Sequence, residues 1–165
     1  MKYLKKGAAL SRCGQYRYAL WRDWPLEGMR RGRALFIGLN PSTADGQQDD
    51  ATIRRCVGFA RSWGCTGLVM LNAFAYRSRD WRKLLQSPDP IGPRNRAAFE
   101  FYRGRVDIIV AAWGAFPLME ERAPILVEWL ADAPVWCLGW NKGGSPKHPL
   151  FVPKAAALQP FNFVS

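Results

Sequence analysis

From residue 34 onward the chain alternates short apolar runs with amphipathic stretches. The runs at 34–39, 67–71, 107–113 and 134–138 are apolar at nearly every position rather than every second one, as strands covered on both faces are. Between the first two, Ile53, Val57, Ala60 and Gly64 fall on one helical face, with Asp49 or Asp50 placed to cap the helix start. A second helix is expected from about Pro93, because proline is tolerated in a first turn. A third carries Leu118, Arg122, Ile125, Leu126, Trp129 and Leu130 on one stripe, apolar apart from the arginine. This alternation predicts a three-layer α/β/α sandwich with a central four-stranded parallel sheet.

Ahead of that pattern, Tyr16-Arg17-Tyr18-Ala19-Leu20-Trp21 alternates and is aromatic, and Cys13-Gly14-Gln15 precedes it. This reads as an N-terminal β-hairpin on the sheet edge, an extension over residues 1–33. Glycine and proline are spread as punctuation, without a repeat or a linker, so residues 1–165 read as a single α/β domain.

Charge adds a candidate partner. In 165 residues, 24 Lys and Arg oppose 13 Asp and Glu, a formal charge of +11. A polyanion is the natural partner for such an excess, with nucleic acid foremost and DNA first among nucleic acids; the other reading is that the charge only keeps the protein soluble. The basic opening Met1-Lys2-Tyr3-Leu4-Lys5-Lys6 is not followed by a sustained apolar run, so a cytoplasmic protein with no membrane partner is expected, and a monomer is favoured. The cysteines at 13, 56, 65 and 137 form no Cys-x-x-Cys pair, which argues against zinc, a redox motif or an iron–sulfur cluster and for free buried thiols. Neither metal nor cofactor is expected.

In open parallel sheets ligands sit beyond the carboxyl ends of the strands, where loops diverge and helix N-termini point outward. That rule selects four loops: the one opening Gly38-Leu39-Asn40-Pro41-Ser42, the one from Asn72 to Ser78, the one at Trp113-Gly114, and the glycine-rich one ending Lys147-His148-Pro149-Leu150. Each also has a plainer reading. Asn40 satisfies loop backbone before Pro41, His148 packs as a structural imidazole, and Trp113 belongs to the core. Asp45, Asp49 and Asp50 read as caps near a helix start rather than cation ligands, and Arg54 and Arg55 either pair with them or face phosphate.

Five segments carry a resemblance. Gly38-Leu39-Asn40-Pro41-Ser42-Thr43-Ala44-Asp45, Asp49-Asp50-Ala51-Thr52-Ile53-Arg54-Arg55-Cys56, Asn72-Ala73-Phe74-Ala75, Ala112-Trp113-Gly114 and Gly144-Ser145-Pro146-Lys147-His148-Pro149-Leu150 resemble the domain-of-unknown-function 1643 family. That likeness implies a fold and a site sooner than a reaction. More distantly, Gly38-Leu39-Asn40-Pro41-Ser42 is similar to the Gly-x-Asn-Pro-Gly motif of mismatch-specific and single-strand-selective uracil-DNA glycosylases, with Ser42 where those often have Gly. His148-Pro149-Leu150 resembles the start of the His-Pro-Ser motif of uracil-DNA glycosylases, with Leu150 in place of Ser.

The second resemblance implies a uracil-DNA glycosylase-like fold and named roles. Asn40 would position a water for attack on the anomeric carbon, and His148 would stabilise charge developing on the base. A glycosylase must also flip its base, stack it and read its edge. Gly38, Pro41, Ser42, Asn72, Phe74 and Tyr76 are the base-binding candidates, with Phe74 or Tyr76 to stack and Asn72 to read an amide edge. Arg77, Arg79, Lys142 and Lys147 are the candidates for the nucleic-acid backbone. The expected function is hydrolysis of the N-glycosidic bond of a flipped uracil-like or modified base. The alternatives are a non-catalytic nucleic-acid or nucleotide-binding module on the same fold, or an enzyme acting on a free nucleotide.

Overall fold

In the first long strand, side chains divide by parity: Ala34 and Phe36 enter one hydrophobic core, Leu35 and Ile37 the other. The computed structural model describes residues 2–25, 28, 31–131 and 133–163. In chain order the elements are β1 (Lys5–Leu10), β2 (Arg17–Asp23), β3 (Arg31–Gly38), α1 (Ala51–Ser62), β4 (Cys65–Asn72), α2 (Asn95–Tyr102), β5 (Ile108–Ala111), α3 (Met119–Leu130), β6 (Val135–Cys137) and β7 (Gln159–Pro160). Parity repeats in β4 and β5, where Leu68, Met70, Ile108 and Val110 face the core of α1 while Val69, Leu71, Ile109 and Ala111 face that of α2 and α3. Helices therefore cover both faces, which is why these strands are apolar throughout.

The four-stranded parallel sheet expected from the apolar runs is the middle of a larger, mixed one. Seven strands join in the order β1-β2-β4-β3-β5-β6-β7. β4, β3, β5 and β6 are mutually parallel, whereas β1, β2 and β7 add antiparallel pairings at the two sides. Apolar runs reveal only strands covered on both faces, so the exposed β1 and the two-residue β7 escape that criterion. The hairpin of β1 and β2 continues the main sheet, with Leu20 opposite Met70 and Asp23 opposite Gly67. Its Tyr18, Ala19 and Leu20 are buried.

α1 starts where Asp50 accepts from the Ile53 N–H at 2.8 Å, and buries Ile53, Cys56, Val57, Phe59 and Ala60. Large apolar side chains of this kind contribute roughly 1.5–3 kcal/mol each when fully buried. The helix stops at Trp63, and Gly64, expected on its apolar face, lies beyond it at φ +76°, donating back to the Arg61 carbonyl. In α3 the arginine of the apolar stripe, Arg122, is itself buried, over the Trp129 ring at 4.0 Å, whereas Ile125 is exposed. Of the four cysteines, Cys56, Cys65 and Cys137 are buried free thiols and Cys13 is exposed. Among the described residues, no helix is long and apolar enough to cross a membrane.

Candidate functional site

β3 and β4 end side by side, Gly38 opposite Asn72, with Ile37 opposite Ala111 of β5 on the other flank. Past this line the chain diverges and leaves a cavity of about 180 Å³. It gathers six of the expected residues from four separate segments: Gly38, Asn40, Ser42, Asn72, Arg79 and His148. Arg17 from β2, Asp50 and Thr52 at the start of α1, and the rings of Trp81, Trp113 and Phe116 also line it.

Six others lie outside that wall. Pro41 is buried, and its carbonyl accepts from Asn40 and from the Ser78 N–H. Phe74 belongs to the core, 5.9 Å from the Arg122 guanidinium. Tyr76 turns its ring edge-on to Tyr16 at 6.0 Å, beside a different cavity. Arg77 donates to the Gly14 carbonyl at 3.1 Å. Lys142 is exposed, and Lys147 is half-buried with its N–H on the Gly139 carbonyl.

Asn40 is pinned by its amide group. Nδ2 donates to the carbonyls of Ser78 at 2.8 Å, Pro41 at 3.2 Å and Tyr76 at 3.4 Å, which ties the loop after β3 to the loop after β4. Oδ1 takes no protein donor among the described residues, so Asn40 offers the cavity an acceptor.

Asn72 is held in the opposite sense. The residue is 4% exposed, and Oδ1 accepts from Arg17 Nη2 at 3.0 Å. A guanidinium can only donate, so the atom facing it is the oxygen and Nδ2 is left as a donor beside the cavity. Room for that amide comes from Gly38, where a Cβ would stand 2.8 Å from Nδ2. Arg17 itself is 3% exposed, donates from Nη1 to the Ala44 carbonyl at 2.7 Å, and makes no ion pair among the described residues. Burial pulls its pKa down to about 10.

His148 opens a short 3-10 turn, and its Nδ1 accepts from the Leu150 N–H at 3.3 Å. An accepting Nδ1 carries no proton, so the neutral ring bears its hydrogen on Nε2. Burial lowers the His148 pKa, against an opposing pull from the Asp50 charge. The imidazole is thereby a neutral donor near physiological pH. Arg55 anchors this loop to α1, donating from Nε to the Pro149 carbonyl at 3.2 Å and from Nη2 to the Val152 carbonyl.

The three aspartates have separate tasks. Asp45 accepts from the N–H groups of Gln47 and Gln48, which holds its carboxyl below the usual range. Asp49 pairs with the fully buried Arg22 at 2.8 Å, and Arg54 donates to the Asp49 carbonyl. Asp50 caps α1 through Oδ1 and lines the cavity as well.

Three of the wall residues carried signals that point elsewhere. Arg17 stands on the polar positions of an alternating strand, which normally face water. Asp50 has the appearance of a cap and is also one. Trp81 lies in a polar stretch between Asp80 and Arg82, with no periodicity to place it. Trp113, readable as core or as wall, is both, packing edge-on to Phe161 at 5.4 Å while lining the cavity.

A family model described as "Protein of unknown function (DUF1643)" matches residues 17–150. That span runs from Arg17 past His148 and takes in every wall residue named above. No curated protein and no solved structure matches the chain.

Proposed function

The chain belongs to the DUF1643 family, and from the chemistry of the strand-end cavity we propose that it is a nucleobase-handling protein of uracil-DNA glycosylase-like fold, hydrolysing the N-glycosidic bond of a flipped uracil-like or modified base in DNA. The observation that carries this reading is the pair of donors, Asn72 Nδ2 and His148 Nε2–H, at one cavity of about 180 Å³. Ligand pockets usually start near 300 Å³, so this one suits a single ring rather than a whole nucleotide. Two donors match the keto oxygens of a uracil-like base.

The chemistry follows from the wall. When the bond to the sugar breaks, its electrons leave with the base, and a donor to the base strengthens as negative charge grows. His148 supplies that donor without carrying a charge of its own. Asn40 Oδ1 accepts a hydrogen from a water and so orients its oxygen. Trp81 and Phe116, edge-on to each other at 5.6 Å, give the ring an aromatic wall. Arg79, exposed beside the cavity, and the surplus of cations serve the flanking phosphates.

One observation favours a second reading, a nucleic-acid or nucleotide-binding module without hydrolysis. The amide of Asn40 is spent on three backbone carbonyls, as a purely structural residue's would be. Labelled single- and double-stranded oligonucleotides bearing uracil, hydroxymethyluracil, hypoxanthine or mismatches, followed by alkali, separate the two. Scission with the wild type, lost in Asn40→Ala and His148→Ala, is the expected result. Salt-sensitive binding without scission of any of them would replace hydrolysis by the binding module.

A further inference from the structure

Hydrolysis at this cavity gains from a group that removes a proton from the attacking water, and the wall leaves few choices. Its charged or titratable side chains are Arg17, Asp50, Arg79 and His148. Guanidinium groups stay protonated and only donate. His148 has its Nδ1 lone pair on the Leu150 N–H and a hydrogen on Nε2, so it has no free lone pair to give. The Asn40 amide oxygen orients a water but is not a base.

Asp50 remains. It is half-buried at the cavity, with Oδ1 on the Ile53 N–H at 2.8 Å. Its Oδ2 takes no protein donor and enters no salt bridge among the described residues. Four groups surround it. Arg17 from β2 and His148 from the loop after β6 both feel its charge, Cys56 lies further along α1, and Arg79 shares the wall.

We propose that Asp50 is the general base of this site, a role that rests on the hydrolytic reading above. A water held at Asn40 Oδ1 attacks the anomeric carbon as the bond from that carbon to the base nitrogen breaks. The bonding electrons leave on the base, whose charge His148 Nε2–H holds. The water's proton passes to Asp50 Oδ2 and on to solvent, and the base anion takes a proton from solvent. One water and one nucleotide residue give a free base and an abasic sugar. The carboxylate that caps the helix is thereby fixed in place by the cap, with its second oxygen left for the water.

Capping and catalysis can be separated, because Asn and Ser cap helices about as well as Asp. Asp50→Asn and Asp50→Ser should keep the thermal midpoint and base binding while excision falls about a hundredfold or more, the range of general acid–base catalysis. The second readout is independent of activity. In an NMR titration of His148, the chain's one histidine, Asp50→Asn should move the midpoint further down, since the carboxylate opposes the lowering by burial. Asp50→Asn that excises like the wild type, while His148→Ala does not, would overturn the base assignment and leave the hydrolytic reading intact. An unmoved His148 titration would overturn it too, by removing the carboxylate from the cavity. A wild type that excises no base would overturn both.

Discussion

Arg17 Nη2 donates to Asn72 Oδ1 at 3.0 Å, and no carboxylate among the described residues pairs with this buried guanidinium. Among the described residues the Asn72 amide is the only side chain bonded to Arg17, and the bond sets which end of Asn72 meets the cavity. Removing it by Asn72→Ala leaves Nη2 orphaned and should cost about 2 kcal/mol of stability. Asn72→Asp gives Arg17 a counter-ion and should keep stability at or above that of the wild type in urea unfolding. The same Asp variant replaces a donor by an acceptor at the cavity. If the cavity takes a uracil-like base as proposed, preference for uracil over cytosine should drop at least tenfold, the scale of one lost hydrogen bond. An Asp variant less stable than the Ala variant would contradict the partnership.

Gly38 has an ordinary backbone conformation, so its role is space rather than flexibility. A Cβ there would meet Asn72 Nδ2 at 2.8 Å, with the Met70 sulfur at 3.6 Å. Gly38→Ala must displace the amide that Arg17 orients, and overpacking of this kind costs about 1–3 kcal/mol. Base binding should weaken tenfold or more while the fold persists, as calorimetry beside thermal unfolding would report. Unchanged binding would mean that the amide does not touch the ligand.

Arg22 is fully buried and gathers the loop that precedes α1. It donates to Asp49 at 2.8 Å and to the carbonyls of Trp21 at 2.8 Å and Asp45 at 2.6 Å. Tyr3 adds a hydroxyl on the other Asp49 oxygen, and burial with that bond pushes its pKa up to about 12. Deleting one partner of a buried ion pair leaves an uncompensated charge, so Asp49→Ala should cost about 3 kcal/mol, whereas Asp49→Asn keeps an acceptor and loses less. Equal losses in denaturant titrations would show that the carbonyls alone hold Arg22.

How much of this could be read from sequence differs by element, for physical reasons. β3, β4 and β5 announce themselves because strands covered on both faces must be apolar throughout, and α1 because its cap and its apolar face are adjacent in sequence. The alternation of β2 places a hairpin on the sheet edge, but its pairing with β4 in particular leaves no such mark, since partner and register are set by contacts distant in sequence. At the site, Asn40, Asn72 and His148 follow from the rule that ligands sit past strand ends. Phe74 and Tyr76 stand in the same loop, but which way a ring points after a strand is settled by packing. Phe74 goes into the core with Arg122, and Tyr76 goes to Tyr16. Arg17 is the least legible, because a cation buried on amide and carbonyl oxygens, with no carboxylate bonded to it among the described residues, breaks the usual rule for buried charge.

The neutral state of His148 makes stability depend on pH in a set direction. Burial lowers its pKa from the ordinary value near 6.5, and Asp50 only partly offsets this. Above about 6.5 the ring is neutral in both the folded and unfolded chains, so nothing is lost. As pH falls below that, the unfolded chain takes a proton that the folded one refuses, and stability declines until the folded pKa is passed. Protonation in the fold would set an Nδ1–H against the Leu150 N–H, which now donates to it. The loss should be at most about 1.4 kcal/mol per pH unit, for one proton. Asp45 and Asp80, whose carboxyls are held low by backbone N–H bonds, lose their contributions only below about pH 4, so the windows are separate. Urea unfolding at pH 7.5 and pH 5 should therefore show a decline in the wild type that His148→Gln removes. A decline that persists in the glutamine variant would assign it to another group and with it withdraw the argument for a neutral imidazole at the cavity.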